Sequence, residues 1–381
     1  MSGDKKPKKR LRRLVGIAFS VASLAVLTYV AITLISGRSL DISKITGLFS
    51  PRVAVEAAGE LHFDVGRDRV FADLGDAVAA AGSLGIQVLD LGGNEALKEA
   101  FRMSRPALSE ENGRAVAFDI GGTAVRVFNG KQVIASVEAS GAIVSASINR
   151  NGWFCVSAQE GGGQRGVATV YDDRGSAVYR VNLASGYALS AVLSPDNKSL
   201  AVLNLTDGGS RITIYQGLNK QESDSAFTLN GGLIIDMRYL PNGNLLAFTA
   251  DSLVAIDKNG ASSIFYEFFD KRLGGYAYDD GTVALHLLDY GVGFSGRLVT
   301  LNEKGSIVGE LVTNRELVSI SFGDGFLAVL RSDGLMFYDT LFQEFPPRGN
   351  HVPTAGATSV LSLKGGAALV AGENSAIVIS T

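Results

Sequence analysis

Residues 236–250 read DMRYLPNGNLLAFTA. A short strand of alternating character runs into Asn242-Gly243, and a more apolar strand follows. Asn-Gly supplies the left-handed dihedrals that a two-residue hairpin turn requires. The same unit recurs along the chain: LHFDVGRDRVFADL (61–74), ALSEENGRAVAFDI (107–120), SASINRNGWFCVSA (145–158) and SAVLSPDNKSLAVLNL (190–205) before it. GGYAYDDGTVALHLL (274–288), SISFGDGFLAVLRS (319–332) and TSVLSLKGGAALVAG (358–372) come after it. Successive turns lie 38 to 46 residues apart, which is room for four strands.

Third-strand candidates fill the gaps: IQVLDL (86–91), AVRVF (124–128), VATVYD (167–172), RITIYQ (211–216), LVAID (253–257), RLVTLN (297–302) and LMFYD (335–339). Asp90, Asp172, Asp257 and Asp339 end four of them, where an Asx turn leads into a fourth strand. Four-stranded units at this period predict an all-β propeller. Eight copies give eight blades, with seven as the alternative count and two packed β-domains as the alternative architecture. After the last copy only AIVIST (376–381) remains, so the final blade lacks its outer strand. RVAVEA (52–57) is free to supply it and lock the ring.

Outside this region the chain changes character. The first 13 residues carry seven Lys/Arg and one acid, whereas the rest has 28 basic and 37 acidic residues, net −9. Residues 14–36 hold no charge, and 23 residues span about 34 Å as a helix, enough for a bilayer core of about 30 Å. Basic flank before apolar run places the N-terminus in the cytoplasm. The run exceeds the apolar core of a cleaved signal peptide, so an uncleaved anchor is expected. Residues 37–51 then form a tether and 52–381 the extracytoplasmic propeller. Lipid is thus one expected partner, through residues 14–36. An acidic body excludes nucleic acid as the main ligand, since phosphate contacts need clustered cations.

The repeat resembles the broad WD40-like and quinoprotein-like propeller group, without its Trp-Asp or tryptophan-docking signatures. The whole plan — basic tail, one helix, propeller — is similar to a bacterial family of single-pass membrane-anchored propeller proteins of unknown function. That resemblance implies no activity.

Catalytic signals are absent from the residues. His62, His286 and His351 fall in separate repeats, and no nucleophile elbow, phosphate loop or calcium loop occurs. Cys155, the only cysteine, lies in an apolar strand and reads as an inert thiol. No catalytic residue, metal or cofactor is expected. Channel candidates on first strands are Asp64, Asp236, Arg238 and Tyr278, for which turn and ladder roles serve as well.

Binding signals are of two kinds. Gly-rich segments between second and third strands, GDAVAAAGSLG (75–85), QEGGGQRG (159–166), TDGGSR (206–211) and DYGVGFSGR (289–297), read as long loops on one face. Three end in Arg165, Arg211 and Arg297, residues suited to bidentate capture of an anionic group on a protein partner. The aromatic stretches IFYEFFDKR (264–272) and MFYDTLFQEF (336–345) read as core with an exposed remainder. Two functions follow: an interaction scaffold for envelope or secretion partners, or an enzyme or sensor holding a sugar, cell-wall fragment or small molecule in the central channel. Carboxylates clustered in the channel favour the second, and an apolar plug favours the first.

Overall fold

The computed structural model describes residues 59–160, 166–183, 186–218, 224–291, 293–345, 354–373 and 375–380. The expected membrane span 14–36, tether 37–51, strand 52–57 and Arg165 lie outside them. Among the described residues the chain forms eight antiparallel sheets, each a simple meander of neighbouring strands. They are blades 1 to 8, at 70–100, 106–138, 142–183, 187–230, 234–267, 271–313, 317–345 and 357–380. The molecule is an eight-bladed β-propeller. First strands lie innermost and side by side, and that of blade 8 (Ala357–Leu363) returns to that of blade 1 (Val70–Asp73).

The core is not one mass but eight. Each apolar cluster fills a seam between consecutive blades: Leu285, Val299 and Leu301 of blade 6 meet Phe248 of blade 5 and Phe268 just after its last strand, for example. The seam from blade 8 to blade 1 is filled the same way, by Leu363 and Leu369 against Val78 and Leu89. Second and third strands are buried on both faces, which is why they read as continuous apolar runs.

All seven expected third strands are present, and the aspartates that end them make the expected turns. Asp90 Oδ1 accepts the Gly92 and Asn94 amides at 2.9 and 2.8 Å. Asp172, Asp257 and Asp339 repeat the pattern two and four residues on.

The first repeat copy is corrected. Its hairpin is not within 61–74: the first strand is Val70–Asp73 and the second is Ala77–Gly82, inside the segment expected to be a loop. All six residues of Ala77–Gly82 are buried. Alanine's weak strand preference hid a strand that seam packing imposes. The alternation of Leu61, Phe63 and Val65 is satisfied by packing into the blade 8–blade 1 seam. TDGGSR is likewise no long loop, since only Asp207 and Gly208 separate Thr206 from Gly209.

Closure occurs where the described chain begins. Glu60 bridges antiparallel to Ile377, and the Leu61 amide donates to Ala376 O at 2.7 Å. A segment preceding blade 1 thereby extends the three-stranded sheet of blade 8. Leu61→Ala removes a side chain that is 3% exposed from this seam. A loss of roughly 2–4 kcal/mol is expected in urea unfolding; a loss under about 0.5 kcal/mol would show that the seam closes without it.

His286, in the second strand of blade 6 (Thr282–Asp289), is 6% exposed and its Nε2 has no hydrogen-bond partner among the described residues. It fits against Gly274, where a Cβ would come within 2.9 Å of its Nδ1. Burial, then the Arg272 charge, pull the imidazole from 6.5 down to about 4. The unfolded chain therefore binds this proton first. Stability from this group is intact above pH 6.5 and is lost as the pH falls towards 4, on the order of 2–3 kcal/mol. His286→Leu should flatten the pH dependence of the urea midpoint over that window; an unaltered slope refutes the assignment.

Candidate functional site: the central channel

The inner strands of blades 3 to 8 share a device. Each carries a β-bulge near its start, at Val144, Leu189, Ile235, Gly274, Val318 and Thr358. A bulge inserts one residue and switches which side later side chains face. Apolar seam residues therefore step by three and then two: Ile143, Ala146, Ile148 in blade 3 and Ala188, Ala191, Leu193 in blade 4. The residues between them, such as Ser145, Ser147, Asp236 and Arg238, line the channel.

These strands enclose a cavity of about 810 Å³. It reaches from the residues just past the bulges to the first-to-second-strand turns, the side called here the turn face. The opposite side, bearing the second-to-third-strand connections, is the loop face. Backbone and serine contacts stitch the channel wall from blade to blade. Ser147 Oγ donates to Ala191 O at 2.8 Å, Ser321 Oγ accepts the Ser362 amide at 2.8 Å, and Asp324 Oδ2 accepts the Gly365 amide at 2.8 Å.

Its electrostatics are lopsided. Asp73, Glu110, Glu111, Asp236, Asp279, Asp280 and Asp324 line it, against Arg150, Arg238 and Lys364. Arg238 Nε sits 3.5 Å from Asp236, whose carboxylate also accepts the Tyr276 hydroxyl at 2.6 Å. Its guanidinium lies 5.9 Å from the centre of the Tyr278 ring. Arg150 of blade 3 reaches Asp280 of blade 6 at 3.6 Å. Those blades are not neighbours, so the pair straps the mouth.

Glu110 and Glu111 end the inner strand of blade 2 (Pro106–Glu111), and neither carboxylate makes a hydrogen bond or ion pair among the described residues. Surrounding protein, then the charges of Glu111 and Asp73, push Glu110 up to about 8, with Arg238 opposing and Asp279 adding. Glu110 is exposed to the lumen that it lines. Glu111, Asp73 and Asp279 are raised as well, each first by burial.

Of the four expected channel candidates, Asp236, Arg238 and Tyr278 line the cavity, and Asp64 does not. Asp64 pairs with Lys98 at 2.8 Å on the first blade. Arg211 and Arg297 stand in third strands, Gly209–Gln216 of blade 4 and Gly296–Leu301 of blade 6, near the loop face. Blade 5 separates them, and Arg297 is held by Glu310 at 2.5 Å. Glu110 and Glu111 were not singled out by sequence reasoning. The available signal was two successive acids just before a turn, where strand alternation calls for one.

The comparisons with known proteins agree with this geometry. A family model described as a family of unknown function, DUF5711, matches residues 58–341. The chain belongs to DUF5711. No curated protein matches it. Among solved structures the DUF5711 propeller is similar to Sqt1 of Saccharomyces cerevisiae (14% identity, 85% of this chain and 99% of that one, TM-score 0.56). BamB from Moraxella catarrhalis matches at 15% identity, 86% and 99% coverage and TM-score 0.53. The C-terminal WD40 domain of Sif2 matches at 13% identity, 86% and 98% coverage and TM-score 0.58. At these identities the likeness is one of fold.

Glu110 gives this site a stability signature. Its folded-state value lies above the unfolded 4.5. Its stabilising share is thus complete below pH 4.5 and is lost as pH rises through about 8. Glu110→Gln should match the native protein at pH 4 and exceed it at pH 9 in urea midpoint. Equal midpoints at both pH values would place this carboxyl in open solvent.

Proposed function

We propose that this protein is a membrane-tethered interaction module. Residues 14–36 span the bilayer, the basic tail stays in the cytoplasm, and the propeller stands outside it with its loop face docked on a protein partner. The uncharged run and its one-sided basic flank support the topology.

One observation carries the docking reading. Phe269, in the connection from blade 5 to blade 6, is 65% exposed and has φ +50°, beside Asp270 at +61°. Left-handed backbone is costly for a bulky residue and collects at functional sites. Here it holds an aromatic ring out on the loop face, edge-on to Tyr266 at 6.1 Å. Strand register sets Lys271 opposite Asp289, which brings the exposed Tyr290 alongside. Leu233, Ile235 and Val318 add exposed apolar surface on the same side. Aromatic anchors within an apolar patch are the composition of interface hot spots. Arg211 and Arg297 flank this face, where they are suited to an anionic group of the same partner.

A photo-crosslinker at position 269 in intact cells should capture one discrete protein, and an impermeant lysine reagent should label the propeller without lysis. Phe269→Glu should cut native partner recovery roughly tenfold or more at unchanged melting temperature. Full recovery with Phe269→Glu, or labelling only after lysis, refutes the reading. The second reading, a ligand in the channel, is favoured by the cavity itself, which is polar and open where a plug would be apolar.

A further inference from the structure

Each blade ends at the rim on an outer strand, one edge of which has no neighbouring strand. Bulges, charges and shortness are the usual means of blunting such an edge. The outer strands of blades 1, 2, 3, 5 and 6 each carry a bulge, at Ala96, Ile134, Val178, Phe265 and Val308. That of blade 7, Glu344–Phe345, has two residues. Blade 4 differs. Its outer strand, Asp224–Asn230, is seven residues long and pairs one for one with the third strand. Its one charge, Asp224, stands at the first position. The Gly231 amide donates to Gly208 O at 2.9 Å, one step beyond that ladder. Alternate residues bond inward, so Ser225, Phe227 and Leu229 bond the third strand while Ala226 and Thr228 present their N–H and C=O groups outward. Among the described residues no other strand pairs with those groups. Blade 5 touches this strand on its seam face, where Gly260 lies over the Ala226 backbone and Ser225 Oγ donates to Lys258 O at 2.7 Å.

We propose that this edge pairs with the same strand of a second copy of this chain, joining two propellers by an antiparallel ladder about a two-fold axis at Phe227. Strand addition of this kind draws its affinity from main-chain hydrogen bonds. A two-fold contact must also be self-complementary, and this strand is. Turning it about Phe227 sets Ala226 opposite Thr228 of the second copy, and both have their N–H and C=O groups directed outward. Asp224 comes opposite Asn230, so no like charges meet. Phe227 meets its own counterpart on the face it shares with Leu229, where both rest half-buried on the blade 4–blade 5 seam. The same operation fails on the other seven-residue outer strands, Ala177–Leu183 of blade 3 and Ile307–Thr313 of blade 6. Arg180 and Glu310 stand at their midpoints, and each would face its own charge. The pairing uses up both edges, so it closes at two copies and leads to no fibre. Blade 4 stands opposite blade 8 in the ring, where the described chain begins, so the chain's entry does not compete for this edge.

The inference does not rest on the loop-face reading, and either can fail alone. The test is disulfide trapping of the full chain in intact cells. Cys155 is the chain's only cysteine and is fully buried, so an introduced thiol reports by itself. Residues opposed across an antiparallel pair have Cβ atoms about 4.5–5.5 Å apart, close enough for a disulfide after a small adjustment. Phe227→Cys should give a covalent dimer of this chain on oxidation. Ser263→Cys, exposed on the outer strand of blade 5, should not. Thr228→Pro removes an outward N–H that the blade's own ladder does not use. It should convert the detergent-solubilised chain from dimer to monomer in light scattering while its melting temperature holds. A monomeric native chain, equal trapping at positions 227 and 263, or a disulfide to another protein in place of the dimer overturns the proposal. If Phe227→Cys fails to fold, the double variant Ala226→Cys/Thr228→Cys decides in its place, because those positions oppose each other across the axis; absence of its covalent dimer overturns the proposal equally.

Discussion

The ring depends on a pairing between distant parts of the chain. Blade 8 has three strands of its own, and the fourth edge is met by Glu60 and Leu61, some 300 residues earlier. Every seam core needs a blade on each side. An unpinned blade 8 would expose the edge of its last strand (Ala376–Ser380) and loosen the Leu61–Val378 cluster together. With one cysteine in the chain no internal disulfide can do this work. Hydrogen bonds at Glu60–Leu61 and the apolar row Leu61, Phe63 and Val65 do it instead, the bonds setting register and the row supplying burial.

The repeat made most of this legible. A turn residue with φ above zero is a strong local signal, and Asn112, Asp280 and Asp324 all adopt one. The Asx turns after the third strands were equally plain, because an aspartate that accepts two amides does so from a fixed offset. What stayed hidden was decided by neighbours far along the chain. Ala77–Gly82 is a strand only because blades on both sides bury it. Glu110 takes a position that blades 6 and 7 fill with Tyr278 and Phe322, and that contrast appears once the blades are superposed by their turns. The aromatic stretch 264–272 was legible in half: Tyr266 and Phe268 are core, while Phe269 stands out through a backbone dihedral no residue type announces.

Position in a ring concentrates chemistry that is scattered in sequence. Arg150 and Asp280 lie 130 positions apart, and Arg238 acts on Glu110 across a similar gap. Neither pair is a motif. Each arises because equivalent positions of eight units converge on one axis, so ordinary turn residues become a shared electrostatic environment. The net acidity of the body is then not evenly spread, and much of it meets at the turn face.

The bulges explain why the two ends of the channel differ. At the bulge an inner strand leaves residues such as Ile235 and Val318 exposed on the loop side; after it, Asp236 and Ser321 take the channel side while Met237 and Ile320 turn into the seam. One inserted residue per strand thus divides each inner strand into an apolar end and a polar end without breaking the seam core. Blade 2 has no bulge, and its inner strand reaches the turn face in strict register with its neighbour. At the residue before the closing pair of its turn it carries Glu110, where blades 6 and 7 carry Tyr278 and Phe322, so two successive acids stand at this mouth. The departure from the repeat is both the source of the perturbed carboxyl and the reason that a channel built of common parts has one unlike side.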